Sequence, residues 1–275
     1  MVFGLAAAAA WGGGDFGGGL ASRRVPVYGV VLVSQATGMV LCLALALVLG
    51  DSLPTGNDVV VCIVAGVLGA FGITMLYRGL AIGRMGIVAP VTGVLAAVIP
   101  VVAGFVTEGI PPPMVLVGIA VAIVAVVLVS RVADETGGRA GLAEALSGGT
   151  AIGLFGVAIA QLSAGDVFAD LATIRLVQGL LVVVVVLVTR SAWRPGRSLL
   201  TALIAIGALD TAGNGFYLAA VQTGQLAIAS VLSAMYPVVT VILAAIVLRE
   251  PVTRDHTIGI GLAGLAIALM GAGGV

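Results

Sequence analysis

The chain is 275 residues long, 61% of them hydrophobic and only 9% charged, and its 12 basic residues, all arginine, balance 12 acidic ones. A soluble domain carries about 25% charged residues, so this composition excludes an ordinary soluble protein and makes the lipid bilayer the chain's first partner. One histidine, His256, and two cysteines, Cys42 and Cys62, are too little for a zinc cluster or a histidine acid–base pair inside the membrane.

A spanning α-helix needs roughly 20 mainly apolar residues. Ten windows qualify: 1–20, 27–49, 58–80, 86–107, 113–131, 148–164, 171–189, 199–222, 226–248 and 257–274. Their apolar runs are continuous rather than alternating, which selects helices over a β-barrel. The expected fold class is therefore an all-α integral membrane protein with ten transmembrane helices.

The first window holds Trp11 and Asp15 in WGGGDFGGG, where the glycines weaken the helix and allow close backbone approach. Trp11 is a stacking platform or a packing residue; Asp15 is a ligand or an interfacial partner of Arg23 and Arg24. Those arginines, rather than a small-residue cleavage site, follow the window, so it is expected to stay. Gln35 and Thr37 in the second window read as helix-to-helix glue, as do Gln161 and Ser163 in the sixth. Cys42 and Cys62 read as small buried hydrophobes. The third window ends at Tyr77 and Arg78, and the fourth carries Pro90, Thr92 and Pro100 and closes at Glu108. A polar stretch, 132–147, follows the fifth window and is expected to be a linker.

In the seventh window Arg175 and Gln178 share a face near the outer end. Snorkelling of Arg175 toward the interface beside Asp170 is the first reading; neutralising Asp210 or meeting an anionic substrate are the alternatives. Asp210, in the eighth window, is the costliest residue, since a charge at the bilayer centre costs about 2.5 to 3.5 kcal/mol on insertion scales. Asn214 and Tyr217 follow at spacings that put all three on one helical face. Such a face either lines a wet cavity that binds a cationic group or a proton, or forms a buried network between helices. The ninth window has a polar, bendable middle of Ser230, Ser233, Tyr236 and Pro237. A proline removes a helical hydrogen bond and bends the helix, so Pro90, Pro100 and Pro237 are expected at gating kinks, or at static bends that neighbouring helices satisfy. Glu108 and Glu250 mark helix ends.

The segment YRGLAIGRMGIVAPVTGVLAAVIP at 77–100 returns as FYLAAVQTGQLAIASVLSAMYP at 216–237, pairing Tyr77 with Tyr217 and Ala89 with Ala229. Five apolar segments per copy is an odd number, so the second copy enters the membrane from the opposite side, the inverted duplication of secondary transporters. The expected units are 1–131 and 148–275, each of five helices, joined by 132–147. Ten arginines lie in the loops after odd-numbered windows and none in the loops after the second, fourth, sixth and eighth. By the positive-inside rule the odd loops are cytoplasmic and both termini face outward.

The order of these landmarks, a WG pair in the first span, a tyrosine closing the third, A-P-V-T in the fourth and YPVVTVILAAIVLREPVT in the ninth, resembles the EamA-type transporters of the drug/metabolite transporter (DMT) superfamily across essentially the whole chain. Two features depart from that pattern: the usual Gly-Glu after the ninth helix is Arg249-Glu250 here, and most such proteins keep both termini in the cytoplasm. The resemblance implies two inverted five-helix repeats in the cell inner (cytoplasmic) membrane. It also implies a cavity built by helices 1, 3, 4, 6, 8 and 9, and movement, often export, of small metabolites, amino acids or drugs. The expected function is alternating-access transport of a small-molecule substrate, with proton coupling open. Substrate or proton binding falls to Asp210, Asn214, Tyr217, Tyr77, Trp11, Asp15 and Tyr236, and gating to Pro90, Pro100 and Pro237. No catalytic residue, metal or cofactor is expected, since the glycine runs lack a phosphate-loop Lys-Ser/Thr and follow no strand. No nucleic acid partner is expected; a homodimer is compatible with the sequence. The rival readings are an integral membrane enzyme on a lipid-linked substrate and a non-transporting scaffold or sensor.

Overall fold

The computed structural model describes residues 1–83, 85–129, 140–248 and 254–273; within these, the side chains of residues 85–87, 89–90, 129, 241, 244, 248 and 256 are not among those described. Arg84, Arg131, Arg139, Arg249, Glu250, the linker up to residue 139, and the side chains of Pro90 and His256 thus lie outside the described residues. The first half comprises helices α1 (Val2–Ser22), α2 (Val27–Leu49), α3 (Asn57–Ile82), α4 (Met85–Thr107) and α5 (Pro113–Val129). The second comprises α6 (Leu142–Ile159), α7 (Val167–Thr189), α8 (Leu200–Gln222) entered through a 3-10 turn at Arg197–Leu199, α9 (Leu226–Ser233), α10 (Tyr236–Leu243) continuing into a π turn at Ala244–Leu248, and α11 (Arg254–Gly273). No strand occurs among the described residues.

Among the described residues, six stretches are long and apolar enough to cross a membrane: Val27–Leu49, Asn57–Ile82, Leu142–Ile159, Val167–Thr189, Arg197–Gln222 and Leu226–Val247. Val91–Thr107, Pro113–Leu128 and Thr257–Gly273 are shorter apolar helices. Helix α1 is outside both sets, because its glycines and Asp15 dilute its hydropathy. Large apolar side chains such as Leu47, Val48, Leu187 and Val188 stand exposed on the outer helix faces. In water that surface would be an aggregation patch; in lipid it is the solvated face.

Several boundaries differ from the sequence windows, three of them with consequences for the packing. Helix α6 begins at Leu142, not 148, so the end of the expected linker is helical. Gly141, in the left-handed region at φ 80°, turns the chain into the helix, and Glu144 in its first turn pairs with Arg78 at 3.4 Å. Helix α7 begins at Val167, not 171, which carries Asp170 inside the helix, where it is 2% exposed. The ninth span is interrupted at Ala234–Met235, and Pro237 falls in the first turn of α10, where a missing N–H is tolerated.

With these boundaries the two halves fall into register. Val2, Val27 and Asn57 begin helices in the first half; Leu142, Val167 and Arg197 begin helical stretches in the second, each 140 positions later. The packing has the same symmetry. Helix α3 packs on α6 as α8 packs on α1, and α3 on α7 as α8 on α2, while α2 packs on α7 and α5 on α11 as self-related pairs. Loops are stitched across the halves. The Asp51 carboxylate accepts hydrogen bonds from the Phe168 and Ala169 amides at 2.8 and 3.2 Å, and Glu108 accepts from the Leu226 amide at 2.9 Å, so each caps the start of a second-half helix.

Candidate functional site

Helices α1–α4 and α6–α10 enclose a cavity of about 90 Å³, room for several waters at roughly 10–15 Å³ each. Trp11 and Asp15 reach it from α1, Gln35 from α2, Pro100 from α4, Phe155 and Gly156 from α6, and Arg175 and Gln178 from α7. Asp210, Asn214 and Tyr217 come from one face of α8, and Ser230, Ser233 and Tyr236 from the interrupted ninth span. The structure thus brings together Trp11, Asp15, Asp210, Asn214, Tyr217, Tyr236 and Pro100. Tyr77 is not in the lining: it is 1% exposed and its ring lies against Gly18, where a Cβ would meet its Cε1 at 2.8 Å. Pro237 is buried beside Gly93 of α4 and outside the lining, and the side chain of Pro90 lies outside the described residues.

Arg175 does not snorkel. Because α7 starts four residues earlier than the sequence window, Arg175 lies two turns inside it, only 2% exposed. Its Nη1 donates to Asp210 Oδ2 at 2.6 Å and to Gln35 Oε1 at 2.7 Å, with a longer contact to Gln178 Oε1 at 3.4 Å. Gly38 of α2 makes the approach possible: a Cβ there would lie 3.0 Å from Arg175 Nε and collide with Thr211 Oγ1. Desolvating a guanidinium and a carboxylate is repaid only by close geometry and further hydrogen bonds, which the two glutamines supply. Arg175 Nη2 and Ser233 Oγ nevertheless have no hydrogen-bond partner among the described residues.

Asp15 differs from Asp210. It lines the same cavity, yet no hydrogen bond or ion pair engages its carboxylate among the described residues. The same cavity has aromatic walls. The Trp11 and Tyr217 rings sit 5.6 Å apart, tilted by 36°, and Gly213 leaves space for the indole, whose Cγ would lie 2.9 Å from a Cβ there. The Tyr217 hydroxyl shares a 2.9 Å hydrogen bond with Ser230 and donates to the Gly156 carbonyl at 3.4 Å, tying α8 to α9 and α6.

Sequence reasoning missed Phe155, and it read Gln35 as glue and Arg175 as interfacial. The Gln35 to Arg175 bond does join α2 to α7, but both residues also face the cavity. The 140-residue register pairs Gln35 with Arg175 and Asp15 with Phe155; extending the repeat beyond 77–100 finds them. The site offers a small organic solute one free carboxylate, an internally neutralised ion pair, amides, hydroxyls and stacking rings.

A family model described as the EamA-like transporter family matches residues 1–131 and 139–272. No curated protein matches the chain. Among solved structures, one described only as the crystal structure of a protein superposes with a TM-score of 0.81 over 98% of this chain and 94% of its own, at 17% identity, which speaks to the fold alone.

Proposed function

We infer that this chain, a multi-pass membrane protein that belongs to the EamA-like transporter family, carries a small organic solute across the cytoplasmic membrane by alternating access around the central cavity. Ten spans in two inverted five-helix units complete the reading, supported by the 140-residue register and by the symmetry of the helix packing. The observation that carries it is the cavity enclosed by both halves and lined by Asp15, Arg175 and Asp210 in an otherwise apolar bundle, because ionisable groups at membrane depth mark substrate or proton pathways.

Asp15 takes the role of coupling carboxylate. Asp210 is held by Arg175 at 2.6 Å, and releasing a proton to it would break that pair, whereas Asp15 is free to exchange a proton with the cavity. The test is uptake into proteoliposomes of a solute found by screening, with and without an imposed proton gradient. Asp15→Asn is expected to abolish gradient-driven accumulation and to spare solute exchange, while Asp210→Asn keeps gradient-driven accumulation. Wild-type coupling in a well-folded Asp15→Asn protein removes Asp15 from the role.

A further inference from the structure

We propose that Arg175 and Ser233 form an oxyanion subsite in the cavity, so that the transported solute carries a carboxylate or a comparable oxyanion; this rests on the transporter reading above. The guanidinium is used on one side only. Nη1 satisfies Asp210, Gln35 and Gln178, while Nη2, on a side chain 2% exposed, has no partner among the described residues. Ser233 Oγ, on a residue 1% exposed, is likewise unpartnered, and both residues line the cavity. A buried donor left unpaired is destabilising, and two such donors on residues that line one cavity are what an incoming oxyanion would satisfy. With Nη1 engaged, Nη2 offers its two N–H groups for a charge-assisted hydrogen bond, and the serine hydroxyl adds a further donor.

Charge balance ties binding of an organic acid to a proton. Arg175 and Asp210 cancel, leaving Asp15 of α1 as the net charge of the cavity, and Tyr217 and Tyr236 enter as neutral hydroxyls. An anion therefore binds when Asp15 carries a proton, which couples the two. The apolar remainder of the solute meets Trp11 and Phe155.

The experiment compares three probes of one skeleton, phenylacetate, 2-phenylethanol and phenethylamine, by thermal stabilisation and calorimetry on the purified full-length protein. The wild type is expected to bind phenylacetate about tenfold or more tighter than the alcohol, the range of a charge-assisted hydrogen bond. Asp210→Asn, which releases Nη1 from its counter-ion, is expected to keep or strengthen that preference. The double variant Arg175→Gln/Asp210→Asn, which removes the pair without stranding a charge, is expected to abolish it. Ser233→Ala, which leaves the ion pair untouched, is expected to reduce it several-fold, and it carries the test if the double variant does not fold. Equal binding of the three probes, a preference for the amine, or an unchanged carboxylate preference in Ser233→Ala or the double variant overturns the subsite. A counterflow arm with labelled phenylacetate separates the two claims. Binding with this pattern but no counterflow keeps the subsite and removes transport; counterflow of a solute without carboxylate preference keeps transport and removes the subsite.

Discussion

Deleting either partner of the Arg175–Asp210 pair destabilises the fold, and the two deletions are unequal. In Asp210→Ala the guanidinium, 2% exposed, keeps only the neutral acceptors of Gln35 at 2.7 Å and Gln178 at 3.4 Å. Arginine cannot shed its proton in a protein, so the full penalty of stranding a buried charge applies, about 3–5 kcal/mol. In Arg175→Leu the stranded group is a carboxylate whose side chain is 14% exposed to the cavity. It can bind a proton and leave a neutral polar group, which costs about 1–3 kcal/mol. Arg175→Leu/Asp210→Ala buries no charge and is expected within about 2 kcal/mol of wild type, since replacing a buried ion pair by apolar groups is often near neutral. Equilibrium unfolding of the four proteins in detergent, followed by circular dichroism, gives the double-mutant cycle. Equal losses in the two single variants, or losses that add in the double, refute the reasoning.

Pro237 starts α10 just past the interruption at Ala234–Met235, so Pro237→Ala lets the ninth span close into a continuous helix; turnover is expected to fall several-fold with little change in solute affinity, measured by initial transport rates beside calorimetry. Glu108→Ala removes the acceptor of the Leu226 amide and is expected to lose about 1 kcal/mol of stability, read as a lower unfolding midpoint. The described arginines of the first and seventh connections, Arg23, Arg24, Arg190, Arg194 and Arg197, share one face of the bundle, because Gly29 at the start of α2 packs against the Trp193 carbonyl. That face is expected in the cytoplasm and both termini outside; a fluorescent carboxy-terminal green fluorescent protein fusion with an inactive phosphatase fusion reverses the orientation.

Composition and apolar length were enough to read a helical membrane protein, and Val27–Leu49 and Leu226–Val247 are close to their windows. Helix α6 was misplaced because Glu144 and the preceding glycines look like linker, although a carboxylate also suits a first helical turn, where Glu144 pairs with Arg78. The polar face of α8 was legible because Asp210, Asn214 and Tyr217 recur at helical spacing. Its pairing with Arg175 was legible only as an alternative to snorkelling, since Arg175 reaches Asp210 through space that Gly38 leaves open on a third helix, and no local pattern encodes such an approach. The same holds for Tyr77: its repeat partner Tyr217 faces the cavity, but the glycine-rich first helix takes the Tyr77 ring into its own packing.

Ala234 lines the cavity at the interruption of the ninth span, is 4% exposed and belongs to none of the polar contacts there. Ala234→Cys, in a background with Cys42 and Cys62 replaced by alanine, can be treated with a membrane-impermeant thiol reagent from each side of oriented vesicles. Alternating access predicts labelling from both sides, with a transported solute altering the ratio of the two rates. Labelling from one side only, or from neither under any condition, contradicts transport through this cavity.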